Sequence, residues 1–292
     1  MEQFECVAPD IYRLKLPFSE STSAVLVNSS GTYCLIDSGA DAASIDGVLV
    51  PALARMHLTL NDIRWLLCTH THGDHIGGHA RIHELAPGVK IAAFDGSEDR
   101  LRNPLYYSKK IRSVFPKYSP APPAVLDGVT PDRLLHDGEW LDDNLRLIHT
   151  PGHDADAVCW LDERSRTLIT GDSLQLNGTV TQGVALIMDL EGYMLSIERL
   201  LELDIHNIIA GHWFLPLGDS ASGIVESKQY LQLCDNLVAQ YSDAIAAIRA
   251  DGVNDAPEIA RALLRRMGSR EPAYLFLPLY TVSEFLKRSG CV

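Results

Sequence analysis

Apolar residues in this chain come in short runs bounded by Gly, Pro, Asn and Asp, alternating with longer stretches where they recur at helical spacing. SAVLVNSSGTYCLIDSG predicts two strands, Ala24 to Val27 and Tyr33 to Ile36, paired as a hairpin around the turn at residues 28–31. From Asp41 to His57 the apolar residues Ile45, Val48, Leu49, Leu53 and Met56 fall on one helical face, with Asp41 placed as the N-cap. DIRWLLCT then reads as a buried strand, IGGHARIHEL as a helix and VKIAAF as a further strand, an early order β-β-α-β-α-β. Residues 95 to about 135 break this rhythm: Pro120, Pro122 and Pro123 exclude regular helix in YSPAPPAV, and the segment reads as a long insertion over the active face.

Strands resume with LRLIHT, AVCWL and TLITGD. The amphipathic helix YMLSIERLLEL follows, with Leu195, Ile197, Leu200, Leu201 and Leu203 expected toward a core, and then the short buried strand HNIIAGH. From Asp219 onward the pattern is mostly helical, the longest helix ending near Gly252. The expected organisation is a core domain over residues 1–218 and a helical C-terminal extension over 219–292.

Composition narrows the class. A chain of 292 residues, 46% hydrophobic and 22% charged, suits a soluble globular protein with one large core. The formal net charge of -13 argues against general binding to nucleic acid or anionic membranes. No apolar run reaches membrane-spanning length, and MEQFECVAPD lacks the basic-then-apolar order of a leader, so the expected location is cytoplasmic. Cys6, Cys34, Cys68, Cys159, Cys234 and Cys291 form no C-x-x-C pair and read as structural thiols.

The candidate chemistry lies in LLCTHTHGDHIGGH, where His70, His72, Asp74 and His75 follow an apolar strand within six residues. Imidazole and carboxylate are ligands that Zn²⁺ and other first-row ions accept. His153, Asp172 and His212 also stand where strands run out, beside glycines that let the backbone turn closely, which points to one shared site. Seven such side chains are too many for one tetrahedral ion and suit two ions sharing a carboxylate.

The ordered motifs LIDSG (Leu35 to Gly39), THTHGDH (Thr69 to His75), TPGH (Thr150 to His153), GD (Gly171, Asp172) and GH (Gly211, His212) resemble the metallo-β-lactamase fold superfamily, in particular its glyoxalase II-like hydrolases. The resemblance covers roughly residues 20 to 215 and implies an α/β fold, a four-layered αββα sandwich with a small helical C-terminal region. It implies that His70, His72 and His153 bind one divalent ion, that Asp74, His75 and His212 bind a second, and that Asp172 bridges them. Zn²⁺ is the expected metal, with Fe and Mn as alternatives, and the implied nucleophile is a bridging hydroxide, with Asp74 as catalytic proton carrier.

The expected activity is hydrolysis of a small ester, thioester or lactone. Alternatives are a phosphodiesterase or ribonuclease of the same fold, a metal-containing ligand-binding regulatory protein, and an iron-dependent sulfur dioxygenase. Tyr193, at the start of the helix after Asp172, is placed either to hydrogen-bond a substrate oxyanion or to pack. In the insertion, Lys109, Lys110 and Arg112 with Tyr106, Tyr107 or Phe115 read either as contacts to an anionic, partly apolar substrate or as a solvated helix face. His79, His83, His136 and His206 read as structural, as does His149, whose alternative is to orient a metal ligand. The C-terminal helices are expected to close one side of the cleft or to build a homodimer interface.

Overall fold

The computed structural model describes residues 2–29 and 31–288, so Cys291 lies outside the described residues. Seven strands form the first sheet in sequence order: β1 (Glu5–Ala8), β2 (Ile11–Leu16), β3 (Thr22–Ser29), β4 (Thr32–Ile36), β5 (Ile63–Leu67), β6 (Lys90–Phe94) and β7 (Arg133–Leu135). β1 to β4 run antiparallel, and β4 to β7 run parallel. The second sheet comprises β8 (Trp140–Leu141), β9 (Leu145–His149), β10 (Val158–Asp162), β11 (Thr167–Gly171), β12 (Asn207–Phe214) and β13 (Gly218–Ser222), in the order β13-β12-β11-β10-β9-β8.

The sheets face each other because their strands are apolar on both sides. In β3, Val25 and Val27 face the second sheet while Ala24 and Leu26 face outward; in β10, Val158 and Trp160 face inward while Cys159 and Leu161 face out. Trp160 fills the intersheet layer with Trp65, Ile36 and Leu147, and its indole N–H donates to the Cys68 carbonyl at 3.0 Å. Outside the first sheet lie α1 (Ala42–Ser44), α2 (Val50–Arg55), α3 (Gly73–Ile76) and α4 (His79–Leu85). After α5 (Glu98–Arg102) and α6 (Pro104–Ser113), the outer face of the second sheet is covered by α7 (Leu190–Leu201), α8 (Ile224–Ala250), α9 (Ala256–Arg266) and α10 (Phe276–Arg288). The result is an αββα sandwich with a helical C-terminal region. Among the described residues, no helix is long and apolar enough to cross a membrane.

Several elements differ from expectation for physical reasons. The first sixteen residues contribute β1 and β2, which carry Arg13 and Lys15 and show only a short apolar rhythm. The Asp41–His57 helix is capped by the Asp41 carboxylate, which accepts from Ser44 N at 2.8 Å, but it passes through a π-helical turn at Ile45–Leu49. Pro51 follows that turn and lacks the N–H that an uninterrupted α-helix would direct to Gly47. Leu195 is 58% exposed, because the buried line of α7 is Leu190, Tyr193, Ile197 and Leu200. The insertion contains α5 and α6, and its last residues form β7 beside β6. Residue 218 starts β13, which pairs antiparallel with β12, and the helices begin at Ile224.

This layering predicts that Trp160→Ala, which empties the intersheet layer, lowers unfolding free energy by about 3–5 kcal/mol in urea titrations. A loss below about 1 kcal/mol, typical of a surface substitution, would contradict the packing described.

Candidate metal centre

β9, β11 and β12 run in the same direction, since β10 is antiparallel to both β9 and β11 while β11 and β12 are parallel. Their C-terminal ends therefore bring His153, Asp172 and His212 to one edge of the second sheet. The parallel pair β4 and β5 does the same for Asp37 and the His70–His75 loop, and Asp37 N–H donates to Leu67 O at 2.9 Å. The two edges meet so closely that Gly211 has no room for a side chain: a Cβ there would lie 2.3 Å from Asp172 Oδ1 and 2.8 Å from His75 Cε1.

The seven expected ligands converge. Their donor atoms fall into overlapping groups, His70 with His72 and His153, Asp74 with His75 and His212, and His70 with His75 and Asp172, each within 4.8 Å. Hydrogen bonds fix which imidazole nitrogens face the centre. His75 Nδ1–H donates to Asp37 Oδ2 at 2.8 Å and His212 Nδ1–H to Ser21 O at 2.6 Å, which turns both Nε2 atoms toward the centre, 3.3 Å apart. Asp172 Oδ1 lies 3.4 Å from the first and Asp74 Oδ2 3.2 Å from the second. Thr69 Oγ1 donates to Asp37 Oδ2 at 2.8 Å and accepts from His70 Nδ1 at 3.1 Å. His70 Nε2 is thereby aimed into the cluster, buried and without a hydrogen-bond partner, as is Asp172 Oδ1.

On the other side, His72 Nε2–H donates to Asp154 Oδ2 at 3.0 Å, and His72 Nδ1 stands 3.1 Å from His153 Nε2. His153 Nδ1–H donates to Leu186 O at 3.2 Å, which turns Nε2 toward the centre, and Gln175, whose Oε1 is held by Gln182 Nε2 (2.7 Å) and Leu186 N (2.6 Å), donates its amide N–H to Asp172 Oδ2 at 3.3 Å. A buried set of lone pairs and carboxylate oxygens facing one another fits divalent cations and is unfavourable without positive charge.

The ionisation balance says the same. Burial presses the His75 and His212 pKa values down, but the carboxylates outweigh it, chiefly Asp172 with Asp37 and Asp74 for His75, and Asp172 with Asp74 for His212; both end above the usual histidine value. Burial and the neighbouring imidazoles hold His70 well below it, and burial with His72 lowers His153 to about 4. Burial opposes ionisation of Asp74 and Asp172, yet the adjacent imidazoles keep both below the ordinary carboxylate range.

Residues 19–212 match the family model described as the metallo-beta-lactamase superfamily. The chain belongs to that superfamily. The beta-lactamase-like protein 2 homolog of Drosophila melanogaster is 30% identical over 196 residues, 66% of this chain and 59% of that protein. The atrochrysone carboxyl ACP thioesterase of Passalora fulva is 24% identical over 186 residues, 63% of this chain and 45% of that protein. This chain thus spans about half to three fifths of the length of these curated relatives. A metallo-beta-lactamase family protein from Thermus thermophilus shares the fold, with a TM-score of 0.75 and 22% identity over 97% of this chain and 94% of that one.

In this superfamily member the cluster forms the floor of a cavity of about 590 Å³. Its far wall comes from α6, the proline-rich segment and α10, so the C-terminal helices close the cleft through Phe276, Leu277 and Tyr280. Tyr280 OH donates to Ile111 O at 2.7 Å, tying α10 to α6. Of the expected substrate contacts, Tyr107 and Arg112 line this cavity. Tyr193 is 1% exposed in the core outside the second sheet, because it continues the buried line of α7. Lys109 and Lys110 are exposed to solvent and absent from the lining, and Tyr106 is exposed. Tyr107, one position on, lines the cavity and donates to Asp154.

The remaining histidines stand apart. His79 is buried with Nδ1 2.7 Å from Ser38 Oγ, and burial pushes its pKa down to about 3. His136 pairs with Asp95 at 2.9 Å and His206 with Asp204 at 3.2 Å, while His83 is exposed. His149 donates to Ala155 O at 2.9 Å and stacks on Phe94. Sequence reasoning assigned no role to Asp37 or Asp154, the carboxylates that orient His75 and His72. The signals were present: Asp37 sits in LIDSG, and Asp154 directly follows His153.

Because His75 and His212 hold protons more tightly than ordinary imidazoles, and a metal needs their Nε2 lone pairs, zinc binding at pH about 7 must displace protons. Calorimetric titration in two buffers of different ionisation heat is expected to show net proton release that grows as pH falls through neutrality. Equal enthalpies in both buffers would contradict the donor arrangement.

Proposed function

We propose that the protein is a dinuclear metal-dependent hydrolase acting on a small ester, thioester or lactone. The observation that carries this reading is the convergence of two adjoining ligand triads and Asp172 at the floor of a largely apolar cavity. His70, His72 and His153 would hold one ion, Asp74, His75 and His212 the other, with Asp172 between them. Zinc suits this nitrogen and oxygen set, and iron or manganese would also be accepted. Divalent ions held there supply Lewis acidity, lowering the pKa of water toward neutrality and polarising a carbonyl oxygen.

Membership of a largely hydrolytic superfamily and the thioesterase among its relatives support attack on a carboxyl derivative. Among the described residues no cysteine lines the cavity. Cys159 is fully buried and raised to about 11 by that burial, and Cys34 is likewise pushed up to about 12. The acidic balance of the chain and the Glu20 carboxylate lining the cavity disfavour a polyanionic nucleic acid as substrate.

Asp74 has a second role in this reading. Its carboxylate lines the cavity, is held ionised, and lies 3.2 Å from His212 Nε2, so one oxygen is positioned by the imidazole while the side chain remains 19% exposed toward substrate. It accepts the proton of the attacking water and delivers it to the leaving group. The Leu186 carbonyl and Asp154 keep His153 and His72 in place during turnover.

The test combines elemental analysis of purified protein with a panel of thioesters, lactones, a β-lactam, aryl phosphodiesters and single-stranded RNA, using His72→Ala as control. Two metals per chain and turnover of carboxyl esters are expected, abolished in the control. Asp74→Asn is expected to lower kcat by about 10²–10⁴-fold with metal still bound. Phosphodiester cleavage alone would replace this reading, metal without any turnover would favour a binding protein, and a metal-loaded Asp74→Asn that kept near-full activity would remove Asp74 from the proton path.

A further inference from the structure

The cations of the insertion are almost all accounted for. Arg100 Nη1 is held by Asp154 at 2.7 Å and Asp156 at 2.8 Å, Arg102 pairs with Glu98 at 2.8 Å, and Lys109 and Lys110 face solvent. Arg112 is different. It is half-buried in the cavity wall, and its Nη1 is fixed to two neutral acceptors of Ser108, the carbonyl at 2.9 Å and the hydroxyl at 2.6 Å. The guanidinium carbon lies 5.9 Å from the centre of the Phe276 ring. Among the described residues Arg112 forms no ion pair, its Nε is buried without a hydrogen-bond partner, and Nη2 has no protein acceptor.

Such an arginine is costly to the protein alone. Burial presses its pKa down, and the only counteracting charge is the more distant Asp74. A guanidinium held rigid by Ser108, with donors left over, is preorganised for a carboxylate. Its surroundings define what must accompany that carboxylate. Ile111, Leu126, Leu277 and Tyr280 line the same part of the cavity, and apolar surface continues to the rim, where Phe18 is 46% and Val125 68% exposed. Among the described residues Arg112 is the only lysine or arginine in the lining, where the acids are Glu20, Asp74 and Asp172.

We infer that Arg112 is the anion-recognising residue of this cavity, and that the molecule cleaved there carries an apolar body bearing a carboxylate separate from the scissile ester or thioester. The inference rests on the hydrolase reading for its reacting bond, but the Arg112 subsite can be tested without turnover. The apolar body lies against α6 and α10, the carboxylate meets the free donors of Arg112, and the scissile carbonyl is left at the His and Asp cluster on the cavity floor. Glu20, the acid of the lining outside the cluster, repels that carboxylate, whereas Arg112 attracts it, which favours one orientation of the substrate.

The experiment is calorimetric titration of the purified protein with phenylbutyrate and with phenylbutanol, its neutral counterpart of equal apolar size. The wild type is expected to prefer the carboxylate. Arg112→Gln is expected to weaken phenylbutyrate by about tenfold or more while leaving phenylbutanol affinity as it was, and Arg112→Lys is expected to recover part of the loss. Unchanged phenylbutyrate affinity in Arg112→Gln would overturn the inference, since the carboxylate would then be held by the metal centre. Equal loss for both probes would also overturn it, by assigning Arg112 to packing. If no carboxyl ester is cleaved by the wild type, the hydrolase reading fails on its own, and the affinities still decide for or against the subsite.

Discussion

His75 Nε2 and His212 Nε2 face each other across 3.3 Å in a buried site, with carboxylate oxygens of Asp172 and Asp74 as their next neighbours. Acceptors do not gather this way unless a positive charge joins them. The arrangement is imposed from behind, because Asp37 and the Ser21 carbonyl occupy the Nδ1–H of each ring and prevent it from turning its proton inward. Asp37 also reaches His70 through Thr69, so one buried carboxylate sets the direction of a ligand in each triad. Asp37 adopts a left-handed backbone conformation, φ 63°, a strain sustained by its bonds to Leu67, Thr69 and His75.

The fold can be understood as the means of holding that cluster. Two sheets with apolar residues on both faces stack on one another, and the ends of β4, β5, β9, β11 and β12 open on a common edge. Close approach there depends on glycine: a Cβ on Gly171, which has φ 48°, would meet Thr69 Oγ1 at 2.1 Å. The insertion is tied to the same edge. Asp154 accepts from His72, Arg100 and Tyr107, and Asp156 accepts from Arg100 and from Thr71 Oγ1 at 2.6 Å. The wall that shapes the substrate cavity and the ligand loop at its floor therefore share a single hydrogen-bond network.

The parts legible in the sequence were those with local signatures. The β3–β4 hairpin, the Asp41 cap, the buried strands and the long α8 followed by Gly252 all follow from short-range pattern and capping chemistry. The seven His and Asp residues that converge could be picked out because such residues recur at strand ends beside glycines. What could not be read was set by tertiary contacts. Helical spacing alone did not separate Leu195, which is exposed, from Tyr193, which is buried, since the face of α7 is chosen by the sheet beneath it. Likewise, of the basic residues near α6 only Arg112 enters the cavity, because α10 packs on that side of the helix. The roles of Asp37 and Asp154 depend on residues 38 and 82 positions away in the chain, a separation that no local pattern encodes.

The central claim is that the cluster is a two-metal site organised around Asp172. Crystallographic anomalous scattering at the zinc edge, on protein supplied with zinc, tests it most directly. The account predicts two peaks about 3.5–4 Å apart, one beside His70, His72 and His153 and the other beside Asp74, His75 and His212, with the Asp172 carboxylate between them. A single peak under saturating zinc, or peaks away from these residues, would contradict it.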